Sequence, residues 1–235
     1  MTSEIILQSL HSLADPVTAK HLQGFFKTGK GQYGEGDLFM GIKVPVIRNI
    51  VKNTGSIDLY EVEKLLDSPY HEARFAGFMF LVYDFKKAKP EAERRKIFDF
   101  YITNAHKANN WDLVDCSCRD ILGAYLLNKT DRSILYRLAE SDNLWEQRIA
   151  VVSTWTFIKY NQYDDVLALS ENLMDHPHDL MHKAIGWMLR EVGKKDRAVL
   201  TDFLTKHCKI MPRTSLRYAI EHYPPEERKQ WMVSN

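Results

Sequence analysis

The chain has 235 residues, of which 45% are hydrophobic and 27% are charged, and its net charge at pH 7 is +1. These values are typical of an ordinary soluble, folded protein with enough apolar side chains for a continuous core. The near-zero net charge excludes bulk attraction to a polyanion, so any nucleic-acid binding must come from a local cluster of Lys and Arg.

Targeting and redox signals are absent from the sequence. No stretch has the length and apolarity of a transmembrane helix, and residues 1–14 lack the basic region and apolar run of a signal peptide. The three Cys are an odd number without a disulfide framework, which favours a reducing compartment. We therefore expect a cytoplasmic protein that makes no membrane contact and acts as a monomer.

Helical periodicity runs through the chain, and alternating β-branched segments are nearly absent. Pro near the first helical position predicts helix starts at Asp15-Pro16, Val44-Pro45, Lys89-Pro90 and Met211-Pro212. Thr130, Ser141 and Asp142 are candidate N-caps of further helices, and Asp112 is the candidate cap of the helix that contains Trp111. The pattern predicts roughly twelve helices joined by short connections as stacked pairs.

The glycine-rich segment near 27–41 interrupts this pattern, because residues 25–41 hold five of the eleven Gly. We expect a long loop that acts as a lid or contacts a ligand. Gly29 to Gly34 match GxGxxG, but a dinucleotide site needs a preceding strand and a βαβ unit, which the sequence does not predict. The backbone N–H groups of the loop, with Lys27 and Lys30, could still meet a phosphate.

A polar turn that leads into an apolar helix recurs along the chain with a basic residue at one position. Arg74 and Arg148 differ by 148 − 74 = 74, or two steps of 37, and Lys183 follows 183 − 148 = 35 residues later. One step of 37 after Arg74 reaches Trp111, and 34 residues after Lys183 comes Arg217. This period is close to that of HEAT-type arrays. The sequence predicts an all-α fold over 1–235, a single domain built as a right-handed α-solenoid of HEAT-like helical repeats.

One repeat phase of a solenoid lines one face, here predicted as a concave basic groove. Trp111 and Asp115, four residues apart, share a helix face in the phase where other repeats carry cations. The alternative is a core Trp beside an exposed acid. Lys183, Trp187 and Arg190 share another face, beside Gly186, whose mid-helix place costs about 1 kcal/mol relative to Ala and indicates close approach by a helix or ligand.

Metal ligands are not evident. Cys116 and Cys118 are two apart in a predicted helix and point away from each other. His178 and His182 share a helix face but lack a third ligand, and a zinc site needs three or four. We expect a surface or capping role for this pair and no metal.

Three motifs together resemble the DNA alkylation repair family of the AlkD type, the HEAT-like alkylpurine DNA glycosylases. Residues 111–115 (WDLVD) are similar to its Trp-Asp-x-Val-Asp element, residues 142–148 (DNLWEQR) to Asp-Asn-x-Trp-x-Gln-Arg, and residues 183–191 (KAIGWMLRE) to Lys-Ala-Ile-Gly-Trp-x-Leu-Arg-Glu. They occur in the order and spacing of the family, and the resemblance covers most of the chain.

The resemblance implies excision of cationic N3- or N7-alkylated purines from double-stranded DNA, without metal or cofactor. It implies Asp115 as the catalytic carboxylate, Trp111 and Trp187 against the lesion nucleotide, and Arg148 on the DNA backbone. Phe25, Phe26 and Tyr33 are alternatives for an N-terminal aromatic role. The expected DNA-binding residues are the cations on the predicted face and in the loop: Arg74, Lys183, Arg190, Arg213, Arg217, Lys27 and Lys30.

The expected chemistry suits these residues. Alkylation makes the purine a cationic leaving group, so one carboxylate can stabilise the developing sugar cation and orient water, and indole faces favour positive charge. Two alternatives remain: a non-catalytic binder of damaged or branched DNA on the same scaffold, and a protein-interaction scaffold.

Overall fold

The computed structural model describes residues 1–234. The chain divides into two compact units, Met1–Ile121 and Leu122–Asn235. Each unit is helical, and within residues 1–234 there is no β-strand, only an isolated parallel bridge between Leu38 and Tyr70. The predicted all-α fold of HEAT-like helical repeats is confirmed, whereas the single domain, the handedness and the concave groove stay predictions.

The first unit begins with six helices that are joined by short connections, apart from residues 26–43, which contain the glycine-rich segment. A 3₁₀ turn at Ala105–Lys107 precedes a short helix, α7, and a π-helical segment at Arg119–Gly123 follows it. The helices are α1 (Ser3–His11), α2 (Pro16–Phe25), α3 (Val44–Thr54), α4 (Leu59–Leu66), α5 (His71–Lys87), α6 (Glu91–Thr103) and α7 (Trp111–Asp115).

The second unit contains nine α-helical segments. They are α8 (Ala124–Leu126), α9 (Ser133–Ala139), α10 (Leu144–Ser153), α11 (Trp155–Lys159), α12 (Asp164–Asn172), α13 (Asp179–Lys195), α14 (Arg197–His207), α15 (Arg213–Ala219) and α16 (Pro225–Ser234). The total exceeds the predicted twelve, in part because helical stretches are subdivided: α7 and α8 flank the π segment, and Thr154 separates α10 from α11. No helix within residues 1–234 is long and apolar enough to cross a bilayer.

Helix α5 is the centre of the first unit. Every residue from His71 to Val82 is buried, because α1, α3, α4, α6 and α7 all pack against this helix. A helix enclosed on all sides is normally apolar all round, yet this one begins with His71, Glu72 and Arg74. Buried polar and charged groups require internal partners, and these three side chains organise the candidate site.

Helix starts agree with the sequence at the Pro positions, but several caps do not. Asp15 caps α2 by accepting a hydrogen bond from the Thr18 N–H at 3.0 Å. The prediction that Asp112 caps α7 was wrong, because Asn110 is the N-cap and Asp112 turns inward. Likewise the cap of α10 is Asn143, not Ser141 or Asp142.

Thr130 is also not a helix cap. The N-cap residue of α9 is Arg132, and the Ser133 N–H donates to the Asp131 carboxylate at 2.9 Å. The helix therefore begins three residues after Thr130. Local sequence places a helix start to within a few residues, while the tertiary partner of each polar side chain decides which one caps it.

Candidate active site and nucleic-acid interface

Helix α7 carries the two residues that the sequence singled out in the first unit. Trp111 is its first residue and Asp115 its last, and both are half-buried. The Asn110 side chain accepts a hydrogen bond from the Trp111 N–H at 2.9 Å, and the Arg119 Nε donates to the Asp115 carbonyl at 3.0 Å. Both ends of this five-residue helix are therefore held by side chains.

An aromatic stack supports Trp111. Its ring stacks on Phe26 with centroids 5.2 Å apart, Phe26 stacks on Phe39 at 5.1 Å, and Phe39 stacks on the His71 imidazole at 4.4 Å. Phe25 meets Trp111 edge-on at 6.0 Å and is 55% exposed, while Phe26 is buried. Of these two phenylalanines, Phe25 is thus the one that faces solvent beside Trp111.

A chain of buried charges lies behind the stack. The His71 Nδ1 is 2.8 Å from an Asp37 carboxylate oxygen, and its Nε2 is 2.9 Å from an Asp112 oxygen. The other Asp37 oxygen pairs with the Arg74 guanidinium. The chain Arg74–Asp37–His71–Asp112, which we call the charge chain, connects the glycine-rich segment, α5 and α7.

The charge chain shifts the pKa of its members. Burial favours the neutral imidazole, but the hydrogen bonds that His71 donates to Asp112 and Asp37 outweigh burial and raise the pKa of His71 to about 9. Burial likewise opposes ionisation of Asp37, yet His71 and Arg74 lower the pKa of that carboxyl below its ordinary value. The imidazolium and the Asp37 carboxylate are therefore the forms present at neutral pH.

The glycine-rich segment is tied to α5 by backbone hydrogen bonds. The Glu72 carboxylate accepts from the N–H groups of Met40, Gly41 and Ile42 at 2.8–3.1 Å. At Gly34, a Cβ would lie 2.6 Å from the Phe26 carbonyl oxygen, so only Gly fits this approach. These contacts favour a fixed surface over a lid.

The cations of the loop and of α5 differ in exposure. Lys27 and Lys30 are exposed, as expected of phosphate contacts. Arg74 is only 7% exposed, and it donates to the Ser68 carbonyl at 2.7 Å and to the Asn109 side-chain oxygen at 3.0 Å in addition to Asp37. Burial and these bonds favour a structural role for the Arg74 guanidinium, and its contact with DNA stays a prediction.

Arg48 is a cation near α7 that the sequence analysis did not identify. Arg48 is exposed on α3 and interacts electrostatically with the Cys116 side chain. Burial raises the pKa of the Cys116 thiol, with Asp112 and Asp115 adding to the effect and Arg48 opposing it. Arg48 lies in the first turns of the helix that Val44-Pro45 begins. It was not predicted as a site residue because it does not lie in the repeat phase of the other cations.

In the second unit, α13 presents Lys183, Trp187 and Arg190. Trp187 is half-buried. Lys183 pairs with Asp179 at 2.8 Å, and Arg190 pairs with Glu221 and lies 3.5 Å from Glu191. The hydrogen bond from Arg190 lowers the pKa of Glu221. Both predicted DNA-binding cations beside Trp187 thus have acidic partners.

Arg148 and Gly186 fix the surroundings of α13. Arg148 is 5% exposed and donates to the Leu180 carbonyl at 2.7 Å, which joins α10 to α13. A Cβ on Gly186 would lie 2.5 Å from the Ser215 carbonyl oxygen, so the close approach indicated by this Gly is made by helix α15. Arg148 therefore anchors α10 to α13, and its contact with the DNA backbone stays a prediction.

Helix α15 carries the predicted Arg213 and Arg217, both exposed. Arg217 lines a cavity of about 300 Å³ together with Arg228 and Lys229 of α16, which the sequence did not single out. Ile220, Pro225 and Met232 form the apolar part of the wall. Spacing along α16 could have revealed this face, because residues 225, 228, 229 and 232 follow helical periodicity.

His178 and His182 take part in turn and helix-start contacts. The His178 Nδ1 accepts from the Leu180 N–H at 3.1 Å as the cap of α13, and the His182 Nε2 lies 2.5 Å from the His176 carbonyl oxygen. Within the described residues, no three His, Cys, Asp or Glu side chains converge as metal ligands.

Known proteins provide three comparisons. The family model described as "DNA alkylation repair enzyme" matches residues 6–223. A predicted DNA alkylation repair enzyme from Enterococcus faecalis is similar in structure with a TM-score of 0.71 at 18% identity, over 90% of this chain and 97% of that chain. A structure described as a new family related to the HEAT-like repeat DNA glycosylases, with affinity for branched DNA, gives a TM-score of 0.59 at 12% identity.

The latter match covers 93% of this chain and 83% of that chain. At these identities the two structures establish the fold alone, and no curated protein matches the sequence. The family model spans nearly the whole chain. The chain therefore belongs to the DNA alkylation repair enzyme family.

Proposed function

We propose that this protein is a monofunctional DNA glycosylase that hydrolyses the N-glycosidic bond of cationic N3- or N7-alkylated purines in double-stranded DNA. The observation that carries the proposal is the Trp111–Asp115 pair on α7, a half-buried indole that stacks on Phe26 and a half-buried carboxylate one turn along the same helix. The monomeric state and the cytoplasmic location stay predictions.

The proposed reaction requires little of the protein beyond charge and position. The bond between C1′ and the purine nitrogen breaks, its electron pair neutralises the cationic base, and the sugar becomes an oxocarbenium ion. The Asp115 carboxylate stabilises that cation and accepts a proton from the water that adds to C1′. The indole of Trp111 favours the same positive charge, and contact of Trp187 with the DNA stays a prediction.

We further propose that exposed cations hold the DNA backbone. Lys27, Lys30, Arg213 and Arg217 are exposed, and Lys183 and Arg190 can exchange their acidic partners for phosphate. Arg148 is proposed to act indirectly, because its hydrogen bond to the Leu180 carbonyl positions α13, the helix that carries Trp187.

The test is release of 7-methylguanine from methylated duplex DNA by wild type and Asp115→Asn. We expect release by the wild type and its loss in the variant. Asp120→Asn is the matched control, because this nearby carboxylate is exposed and pairs with Lys86 on the surface. Equal release by wild type and Asp115→Asn would refute the role of Asp115.

A second candidate is a DNA binder without excision activity. It is favoured by the structural similarity to a family described as having affinity for branched DNA, and by the acidic partners that Lys183 and Arg190 already have. This candidate predicts tight, salt-sensitive binding of branched DNA and no base release from any alkylated substrate.

Charge reversal tests the DNA surface for either candidate. Each lost phosphate contact lowers the slope of log affinity against log salt by about 0.9, so Arg213→Glu/Arg217→Glu is expected to lower it by about two. Arg95→Glu/Arg137→Glu makes the same charge change outside the proposed set and is expected to retain the slope. No measurable DNA binding by the wild type would instead favour a protein-interaction scaffold.

A further inference from the structure

His71 is a buried histidine whose two ring nitrogens both face carboxylates. Nδ1 lies 2.8 Å from Asp37 and Nε2 lies 2.9 Å from Asp112. Ionised carboxylates only accept hydrogen bonds, and a neutral imidazole has a single N–H. The geometry is satisfied when both nitrogens donate, which requires the imidazolium form.

The His71 ring also belongs to the stack that supports Trp111. Phe39 lies on the imidazole at 4.4 Å with the planes 19° apart, and Phe26 lies 5.1 Å from the imidazole and 5.2 Å from Trp111. His71 therefore reaches α7 by two routes, through the carboxylate of Asp112 and through the rings that carry Trp111.

Charge neutrality of the buried cluster depends on His71. Arg74 and the imidazolium contribute two positive charges, and Asp37 and Asp112 contribute two negative charges. Removal of the imidazolium charge would leave one uncompensated buried carboxylate, which is strongly unfavourable. Asp112 is the member that can respond, because it belongs to the five-residue helix α7 and one of its oxygens has no hydrogen-bond partner.

We propose that His71 is a positioning residue for the reaction proposed above: its imidazolium holds the glycine-rich segment and α7 in one register and thereby orients Trp111 and Asp115. The inference rests on the proposed function only for its effect on catalysis. It assigns the glycine-rich segment a role as the fixed support of Trp111.

The charged groups around His71 define the variants. Arg74 and Glu72 lie on its own helix, Asp37 on the glycine-rich segment and Asp112 on α7; Glu72 already accepts three backbone hydrogen bonds. His71→Gln removes the positive charge. His71→Gln/Asp112→Asn also removes one carboxylate and restores the neutrality of the cluster. The double variant therefore distinguishes the effect of the lost charge from the effect of the lost imidazole ring.

Base release under single-turnover conditions and DNA affinity are measured for each variant. His71→Gln is expected to lower the excision rate roughly 10- to 100-fold, the effect of misplacing a catalytic group, with little change in affinity. The double variant is expected to excise faster than His71→Gln. His106→Gln, at an exposed histidine, is the control and is expected to match the wild type.

Nuclear magnetic resonance provides a readout that does not depend on catalysis. At about pH 7.5, an unperturbed histidine with a pKa near 6.5 is mostly neutral, whereas both His71 nitrogens are expected to carry protons. The indole N–H signal of Trp111 is expected to shift in His71→Gln and to move back toward the wild-type position in the double variant.

The outcomes separate this inference from the proposed function. If the wild type releases no base, the proposed function fails, and the His71 and Trp111 signals still decide the positioning role. A neutral His71 at about pH 7.5, an unshifted Trp111 signal in His71→Gln, or a double variant no better than His71→Gln would each overturn the inference.

Discussion

We expect the free energy of unfolding to fall at alkaline pH, because His71 loses its proton there. Its pKa is about 9 in the folded chain against an ordinary value of 6.5, because the hydrogen bonds to Asp112 and Asp37 outweigh burial. One pKa unit corresponds to about 1.4 kcal/mol, so the imidazolium stabilises the folded state by about 3 kcal/mol. This is a large share of the 5–15 kcal/mol, roughly, by which domains are stable.

The sign follows from the raised pKa. The folded state holds the proton more tightly than the unfolded state, so the stabilisation is fully present below about pH 6.5 and is lost as the pH rises through about 9. An acidic group with a lowered pKa would give the opposite trend at low pH. His71→Gln removes this alkaline dependence together with the stabilisation.

The assay is urea unfolding at several pH values between about 6 and 10, followed by circular dichroism. Tyr and Lys side chains titrate near the upper end, so the compared quantity is the difference in unfolding free energy between wild type and His71→Gln. We expect that difference to shrink by about 3 kcal/mol across the range. A difference that stays constant from low to high pH would refute the reasoning, and His106→Gln is the control.

Two further predictions concern α13. Gly186→Ala is expected to destabilise the chain, because overpacking against the Ser215 carbonyl costs about 1–3 kcal/mol and the helix propensity of Ala returns only about 1 kcal/mol. Thermal unfolding measures the change in stability. The control is Gly24→Ala, where an added Cβ meets nothing within 4 Å, and it should not lose stability. Glu221→Gln is expected to break the ion pair with Arg190 and to tighten duplex DNA binding about two- to fivefold, because partly exposed ion pairs contribute at most about 1 kcal/mol. Affinity is measured by fluorescence anisotropy. An unchanged affinity would show that Arg190 does not contact DNA.

The fold could be predicted from periodicity, because apolar spacing and Pro at helix starts are local signals. The Trp111–Asp115 pair was also accessible, since a spacing of four places both residues on one helix face. His71 was not, because its partners Asp37 and Asp112 are 34 and 41 residues away in sequence. Only the tertiary structure brings a loop carboxylate and a helix carboxylate to the same imidazole.

The repeat spacing of the cations has a different physical origin from the one that the sequence suggested. Two cations of this phase bond to the following repeat: Arg74 donates to the Asn109 side chain, 35 residues on, and Arg148 donates to the Leu180 carbonyl, 32 residues on. The Ser215 hydroxyl bonds the His182 carbonyl, 33 residues back. About one repeat length therefore separates these three side chains from a group to which each of them bonds.

Stacked helix pairs need such links, because each repeat buries the helix termini of its neighbour and leaves carbonyl groups to be satisfied. A long basic side chain such as Arg74 or Arg148 meets that need whether or not a ligand is present. The buried cations of this phase, Arg74 and Arg148, thus act within the repeat fold, whereas Arg217 is exposed and its contact with DNA stays a prediction. At the same phase, α7 carries Trp111 in place of a cation, and the hydrogen bond between Asp112 and His71 links α7 to α5 instead.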